Sequence, residues 1–243
     1  DPNTFRADGT AALDWKYPSP DGAKIAYGKS EAGSEHSTLY VRDLKTGKDL
    51  SDVIPNTQYA SVAWDPDSRG FHYSRHPEKG DVPAGEEVFH ETIHHHRLGG
   101  DWKTDPMVWS GEGAPIQEVR QVYGSSDHAW LFIANAYATT DWAKNDLYVR
   151  SSEGEGKFMP VAVGLDGQTS GDAAHSELYL LTNVGAPRYH VVKVAPGARG
   201  PNDWLVVIPE QKGVIQSFVI AGDRLVLQVL ENATSQVRIF GLD

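Results

Sequence analysis

One phrase returns three times along this 243-residue chain: an apolar or aromatic strand, a short turn bearing Asp, and a second apolar strand. It reads Trp15-Lys16-Tyr17-Pro18-Ser19-Pro20-Asp21-Gly22 then Lys24-Ile25-Ala26-Tyr27. It recurs as Val62-Ala63-Trp64-Asp65-Pro66-Asp67-Ser68-Arg69-Gly70 then Phe71-His72-Tyr73. A looser copy is Val122-Tyr123-Gly124-Ser125-Ser126-Asp127-His128 then Ala129-Trp130-Leu131-Phe132-Ile133. A spacing of roughly 40–60 residues marks a repeat architecture whose unit is about one four-stranded meander. Such a unit has two apolar faces and cannot bury both alone.

Long helical patterns are absent. Short alternating runs such as Thr38-Leu39-Tyr40-Val41-Arg42-Asp43-Leu44 read as strands. Asp21-Gly22 and Asp166-Gly167 carry hairpin signals, and Lys45-Thr46-Gly47-Lys48 and Gly222-Asp223 read as further turns. Grouping the strands predicts five four-stranded antiparallel meanders, over residues 14–53, 59–109, 119–159, 161–208 and 213–243, with residues 1–13 as the tail of a preceding unit. Packing such meanders side by side buries both faces of each, which predicts an all-β fold and one β-propeller domain, either a small closed ring or an open arc of a larger one. A β-sandwich is the runner-up, but it leaves the recurring turn phrase unexplained.

Composition narrows the function. Acidic residues number 33 against 22 Lys and Arg, for a net charge of −11 spread along the chain. That surface repels phosphate backbones, so nucleic acid is not an expected partner. The lack of Cys excludes disulfides, thiol catalysis and Cys-ligated zinc. No apolar run approaches the ~20 residues of a membrane helix, so no membrane partner is expected. There is no basic segment followed by an apolar stretch to read as a signal peptide. The chain opens on Asp1 and reads as processed or excised from something longer. Cytoplasm and periplasm both stay open as compartments.

The stretch Asp1-Pro2-Asn3-Thr4-Phe5-Arg6-Ala7-Asp8-Gly9-Thr10-Ala11-Ala12-Leu13, followed by Ser19-Pro20-Asp21-Gly22-Ala23-Lys24-Ile25-Ala26-Tyr27-Gly28, resembles the propeller domain of prolyl oligopeptidases. So do Leu50-Ser51-Asp52-Val53-Ile54 leading into Ser61-Val62-Ala63-Trp64, and Gly70-Phe71-His72-Tyr73-Ser74. The resemblance spans essentially the whole chain. It implies a seven-bladed cap on a separate α/β-hydrolase domain, where only short proline-containing peptides reach a Ser-Asp-His triad. This chain departs from that pattern in carrying about five blades and no Gly-x-Ser-x-Gly nucleophile elbow. No catalytic residue and no cofactor is therefore expected in it. The expected function is the non-catalytic, gating part of such a peptidase. A free-standing propeller that binds a peptide or protein is the competing class, and a metal-dependent propeller enzyme a third. If the arc is open, its apolar end faces would invite self-association.

Candidate residues follow. The resemblance places Tyr59 and Trp109 near substrate-facing positions, where either ring could form an aromatic wall, although packing is an equal reading for each. The polar loop Glu78–Glu87 holds the gating candidates Gly80, Asp81, Pro83 and Gly85; a mobile hairpin tip is its simpler reading. Among His72, His76, His90, His94, His95 and His96, strand parity puts His94 and His96 on one face and His95 on the other. His94 and His96 are thus the weak metal candidates, without an adjacent carboxylate pattern, and a structural role is favoured. Trp15, Trp64 and Tyr123 read as packing residues between units, and Asp21, Asp67 and Asp127 as turn residues bonding their own backbone. Asn232-Ala233-Thr234 fits a glycosylation sequon of high chance frequency.

Overall fold

The computed structural model describes residues 8–111, 113, 115–137, 143–154, 156–195, 197, 198 and 200–242. Its strands form five antiparallel meanders in which hydrogen-bonded neighbours are consecutive in the chain. The first contains β1 (Ala11–Pro18), β2 (Lys24–Glu31), β3 (Thr38–Asp43) and β4 (Asp49–Ile54). The second contains β5 (Val62–Trp64), β6 (Gly70–Arg75), β7 (Thr92–Arg97) and β8 (Met107–Trp109). The third contains β9 (Val119–Gly124), β10 (Trp130–Ala136), β11 (Asn145–Ser151) and β12 (Met159–Ala162). In the fourth are β13 (Thr169–Ala174), β14 (Glu177–Thr182), β15 (His190–Val194) and β16 (Leu205–Ile208). The fifth has three strands among the described residues, β17 (Val214–Ala221), β18 (Arg224–Glu231) and β19 (Thr234–Gly241), where four were expected.

The chain divides into two compact units, Asp1–Tyr123 and Gly124–Asp243. Several boundaries also move. Ala11–Leu13 belongs to β1 and not to a preceding tail, because the strand continues past a bulge between Leu13 and Trp15. Residues 8–10 of that expected tail lead into β1, and residues 1–7, with the start of the stretch that carries the family resemblance, lie outside the described residues. Val161 and Ala162 close the third meander instead of opening the fourth. Asp166-Gly167 makes no hairpin; it lies in the link from β12 to β13, where a Cβ on Gly167 would run into Asn183 Oδ1. Among the described residues, the two-residue hairpins of that half are the expected Gly222-Asp223, together with His175-Ser176 (φ 54 and 65) and Asn232-Ala233 (φ 52 and 59), the last two being left-handed pairs that match the twist of their strands. The sequon thus begins on an exposed turn.

The repeated phrase folds the same way each time. Ser19 N, Asp65 N and Ser125 N donate across the turn to Lys24 O, Gly70 O and Trp130 O at 3.0, 2.9 and 2.8 Å. Asp21, Asp67 and Asp127 each accept from the backbone N–H two residues on, at 2.9, 3.0 and 3.0 Å. Gly22, Ser68 and His128 take the left-handed position that follows. Trp15 and Trp64 also donate beyond their own strands, Trp15 Nε1 to Thr57 O in the link between β4 and β5 at 3.0 Å and Trp64 Nε1 to Tyr17 O on β1 of the neighbouring sheet at 2.9 Å. Gly28 sits mid-strand because the Trp15 ring covers it and leaves no room for a Cβ.

In the first unit, Ala26, Leu39, Val41, Ile54, Val62, Phe71 and Tyr73 form one buried cluster across both sheets. In the second, the buried alternation Leu225, Leu227, Val229 of β18 faces Ala174, Tyr179 and Leu181 of the fourth sheet. Asp172 on β13 stitches three sheets of that unit. It accepts from Ser126 N at 2.6 Å, Ser126 Oγ at 2.7 Å and Ile220 N at 3.0 Å. Among the described residues no helix is long and apolar enough to cross a membrane.

Candidate functional site

In the first unit the loops 32–37, 55–61 and 76–91 come together at one end of the first two sheets. Antiparallel pairing dictates this: Val62 at the start of β5 faces Tyr73, and Arg75 at the end of β6 faces Thr92. Backbone bonds tie the loops together, Thr57 N to Ser37 O at 3.0 Å and His76 N to Asn56 O at 2.9 Å. Asn56 Nδ2 adds a bond to Pro77 O at 3.2 Å.

Tyr59 stands on this end with its ring 72 % exposed. Its backbone is left-handed, at φ 55, and its Oη donates to Glu35 Oε2 at 2.5 Å, which raises the phenol's pKa. Trp109, the other aromatic candidate, ends β8 opposite Ile93 and is only 4 % exposed.

Gly80, Asp81, Pro83 and Gly85 are all exposed. Their loop is a run of short turns, with Asp81 N donating to Glu78 O at 3.1 Å and Glu86 N to Pro83 O at 3.0 Å. Gly80 and Gly85 supply φ of 99 and 93. Side chains close the loop on itself: Gly85 N donates to Glu87 Oε2 at 2.7 Å, and His90 Nε2 lies 2.6 Å from Glu86 Oε2.

At the end of the loop Glu91 is buried with Arg120, a pairing that local sequence patterns do not reveal. Arg120 N donates to Glu91 Oε2 at 2.7 Å, and the Arg120 guanidinium donates to Glu91 O and to Pro115 O. Burial pushes Glu91 up to about 7, opposed by its bond from Arg120 N. Nearby, burial pulls His76 down to about 4, so this imidazole is neutral at pH 7.

The histidine run follows the expected strand parity, and its carboxylates come from 9 to 44 residues away in sequence. His96, with its side chain 1 % exposed, places Nε2 3.0 Å from Asp52 Oδ1 and Nδ1 2.9 Å from Asp105 Oδ2. Tyr73 Oη donates to the same Asp105 oxygen at 2.9 Å. Burial opposes charge on His96, but the two carboxylates outweigh it and hold the imidazole up to about 9. His94 bonds Thr92 Oγ1 and Asp105 O instead, and burial, with the Arg75 cation beside it, lowers its pKa. The two weak metal candidates, His94 and His96, thus have different side-chain partners, Thr92 for one and Asp52 and Asp105 for the other. Among the described residues, the group of metal-ligating side chains that converges is Asp65, His72 and His95.

The family model for the prolyl oligopeptidase N-terminal β-propeller domain matches residues 1–243. The chain belongs to that family. Over 86 % of its length it is 29 % identical to the prolyl endopeptidase of Elizabethkingia meningoseptica, covering 29 % of that protein. Over 90 % it is 30 % identical to prolyl oligopeptidase A of Galerina marginata, covering 32 % of it. A solved prolyl endopeptidase structure, from a study of inter-domain dynamics in catalysis and specificity, superposes on all of this chain with a TM-score of 0.89 at 32 % identity. The chain covers 35 % of that structure. Its five meanders are thus blades of a propeller, and the chain spans about a third of the length of the relatives it matches.

Proposed function

We propose that this propeller chain is the non-catalytic, gating part of a prolyl oligopeptidase-type serine peptidase. The loop end carrying Tyr59 and Gly80–Gly85 would face the α/β-hydrolase domain and the path of short proline-containing peptides. The observation that carries this reading is the match of the whole chain to a propeller family, together with relatives of which it covers only about a third. Prolyl oligopeptidase B of Galerina marginata has been solved bound to a 35-residue substrate, which supports a peptide as the class of molecule handled. In this proposal the chain breaks no bond itself. It orders and narrows the approach to a triad held elsewhere and excludes water from it. Apolar side chains stay exposed on β16 and β19, including Leu205 (62 %), Val237 (70 %) and Ile239 (64 %). We propose these strands as the surface for any self-association, read out as solution mass.

The test is titration of the chain into a separately produced hydrolase domain of this family. Activity is followed on a fluorogenic prolyl peptide and on a folded protein substrate. Saturable binding that suppresses cleavage of the folded protein but retains the peptide supports the gate. Cleavage of the peptide by the propeller chain alone, or absence of association, overturns it.

A further inference from the structure

The second copy of the repeated phrase departs from the other two at three positions at once. Where it has Asp65, the first and third copies have a serine that closes its own turn. Ser19 Oγ donates to Asp21 Oδ1, and Ser125 Oγ to Asp127 Oδ1, both at 2.6 Å. Two residues into the following strand, the other copies place a buried apolar pair across the ladder. This is Ala26 with Val41 in the first copy and Phe132 with Val149 in the third. The second copy places His72 opposite His95 there.

These three departures meet in space. His95 Nε2 lies 2.9 Å from Asp65 Oδ2, and His72 Nδ1 lies 3.6 Å from Asp65 Oδ1. The two imidazole rings are 4.5 Å apart between centroids and tilted by 30°. One ligand atom from each residue falls within 4.8 Å of the other two. Gly70 makes the space: a Cβ there would lie 2.5 Å from Asp65 Oδ2 and 3.4 Å from His95 Nε2. The cluster is recessed yet reachable, with side chains 16 %, 8 % and 23 % exposed for Asp65, His72 and His95.

We propose that Asp65, His72 and His95 form a binding site for a divalent transition-metal ion of the zinc class, ligated by two imidazole nitrogens and one carboxylate oxygen. The donor set suits such an ion, since imidazole favours zinc, copper, iron and nickel over calcium and magnesium. Zinc bonds imidazole nitrogen at about 2.0–2.1 Å, so the three ligand atoms close in on the ion by small side-chain rotations. A fourth position stays open to water. The ion pins the Asp65 turn to the paired strands β6 and β7 at His72 and His95, towards the end of the sheet away from the 76–91 loop that joins them and is proposed above as part of the gate. It is therefore independent of that reading.

The experiment uses the untagged chain, stripped with a chelator and titrated with ZnCl2 by calorimetry, and with CoCl2 by its d–d absorption. One equivalent of either metal is expected to bind, with a rise in thermal midpoint. His95→Gln, on the more accessible of the two histidines, should lower affinity by more than the roughly 10–100-fold that loss of an outer-shell partner costs. Asp65→Ser, which restores the residue of the other two copies, should do the same; it carries the test if the histidine variant fails to fold. Absence of stoichiometric binding by the wild-type chain overturns the site. So does an isotherm left unchanged by Asp65→Ser.

Discussion

Tyr27, Arg42 and Asp49 in the first sheet and Tyr73, His96 and Asp105 in the second are the same arrangement held in two environments. Tyr27 and Tyr73 stand at matching places after the repeated turn, and Arg42 and His96 face Ile25 and Phe71, which also match. In each case a tyrosine hydroxyl and a third-strand cation share one carboxylate. Arg42 and Asp49 form a two-point pair at 2.7 and 3.0 Å, with side chains 32 % and 36 % exposed. His96 and Asp105 are 1 % and 6 % exposed, and the first sheet adds a second carboxylate, Asp52, also 1 % exposed. Water can replace either partner of the outer pair, but it cannot reach the inner one. The same chemistry is therefore nearly dispensable in one sheet and structural in the other.

The largest break is His96→Gln. It leaves Asp52 and Asp105 buried without their cation, and removing one member of a buried pair typically costs about 3–5 kcal/mol. Urea unfolding of the chain should show that loss. A change below about 1 kcal/mol, the range of exposed pairs, would collapse the distinction between the two sheets.

The pH dependence comes next. His96 is raised from 6.5 to about 9 in the folded chain, so its stabilisation is complete below about 6.5 and is lost as pH rises through 9. Glu91, raised to about 7 by burial, contributes its own loss between about 4.5 and 7, so the window from 7 to 9 isolates His96. The wild-type chain should lose on the order of 2–3 kcal/mol across that window. His96→Gln should be flat there, and an equal slope in both proteins would assign the effect to another group.

These two environments explain what the sequence could and could not reveal. The turn phrase was legible because its bonds run between residues two to five apart, as in Ser19, Asp21 and Lys24. Strand parity likewise separated His95 from His94 and His96. The carboxylates that give those histidines their chemistry were not legible, because Asp52 lies 44 residues from His96 and Asp65 lies 30 from His95. Asp166-Gly167 misled for the opposite reason. Gly167 is needed instead for close approach to Asn183, just beyond the Thr169–Thr182 pair of the fourth sheet.

A matched pair of hydroxyl deletions gives the next smaller effect. Tyr73→Phe strips a donor from Asp105, whose other partners are fixed by burial, and should cost about 1–3 kcal/mol. Tyr27→Phe leaves Asp49 with both Arg42 bonds and open to water, and should cost about 0.5–1.5 kcal/mol. Because Asp49 also helps raise the Tyr27 phenol to about 12, after burial, the hydroxyl stays a donor over the whole accessible pH range. Equal costs for the two variants would mean that burial of the acceptor is irrelevant.

Arg42→Gln should have the smallest effect and is the most direct probe of exposure. An exposed ion pair contributes about 0.2–1 kcal/mol, and the Arg42 guanidinium also lies over the Tyr27 ring, with Cζ 5.3 Å from its centroid, a contact that glutamine loses along with the charge. What remains of the charge term should fade with salt, since the Debye length falls to about 3 Å at 1 M. The wild type and Arg42→Gln should thus converge in stability between 0.05 and roughly 1 M NaCl, while the gap between wild type and His96→Gln persists. Screening of both gaps to the same degree would place His96 in contact with solvent ions and contradict its burial between Asp52 and Asp105.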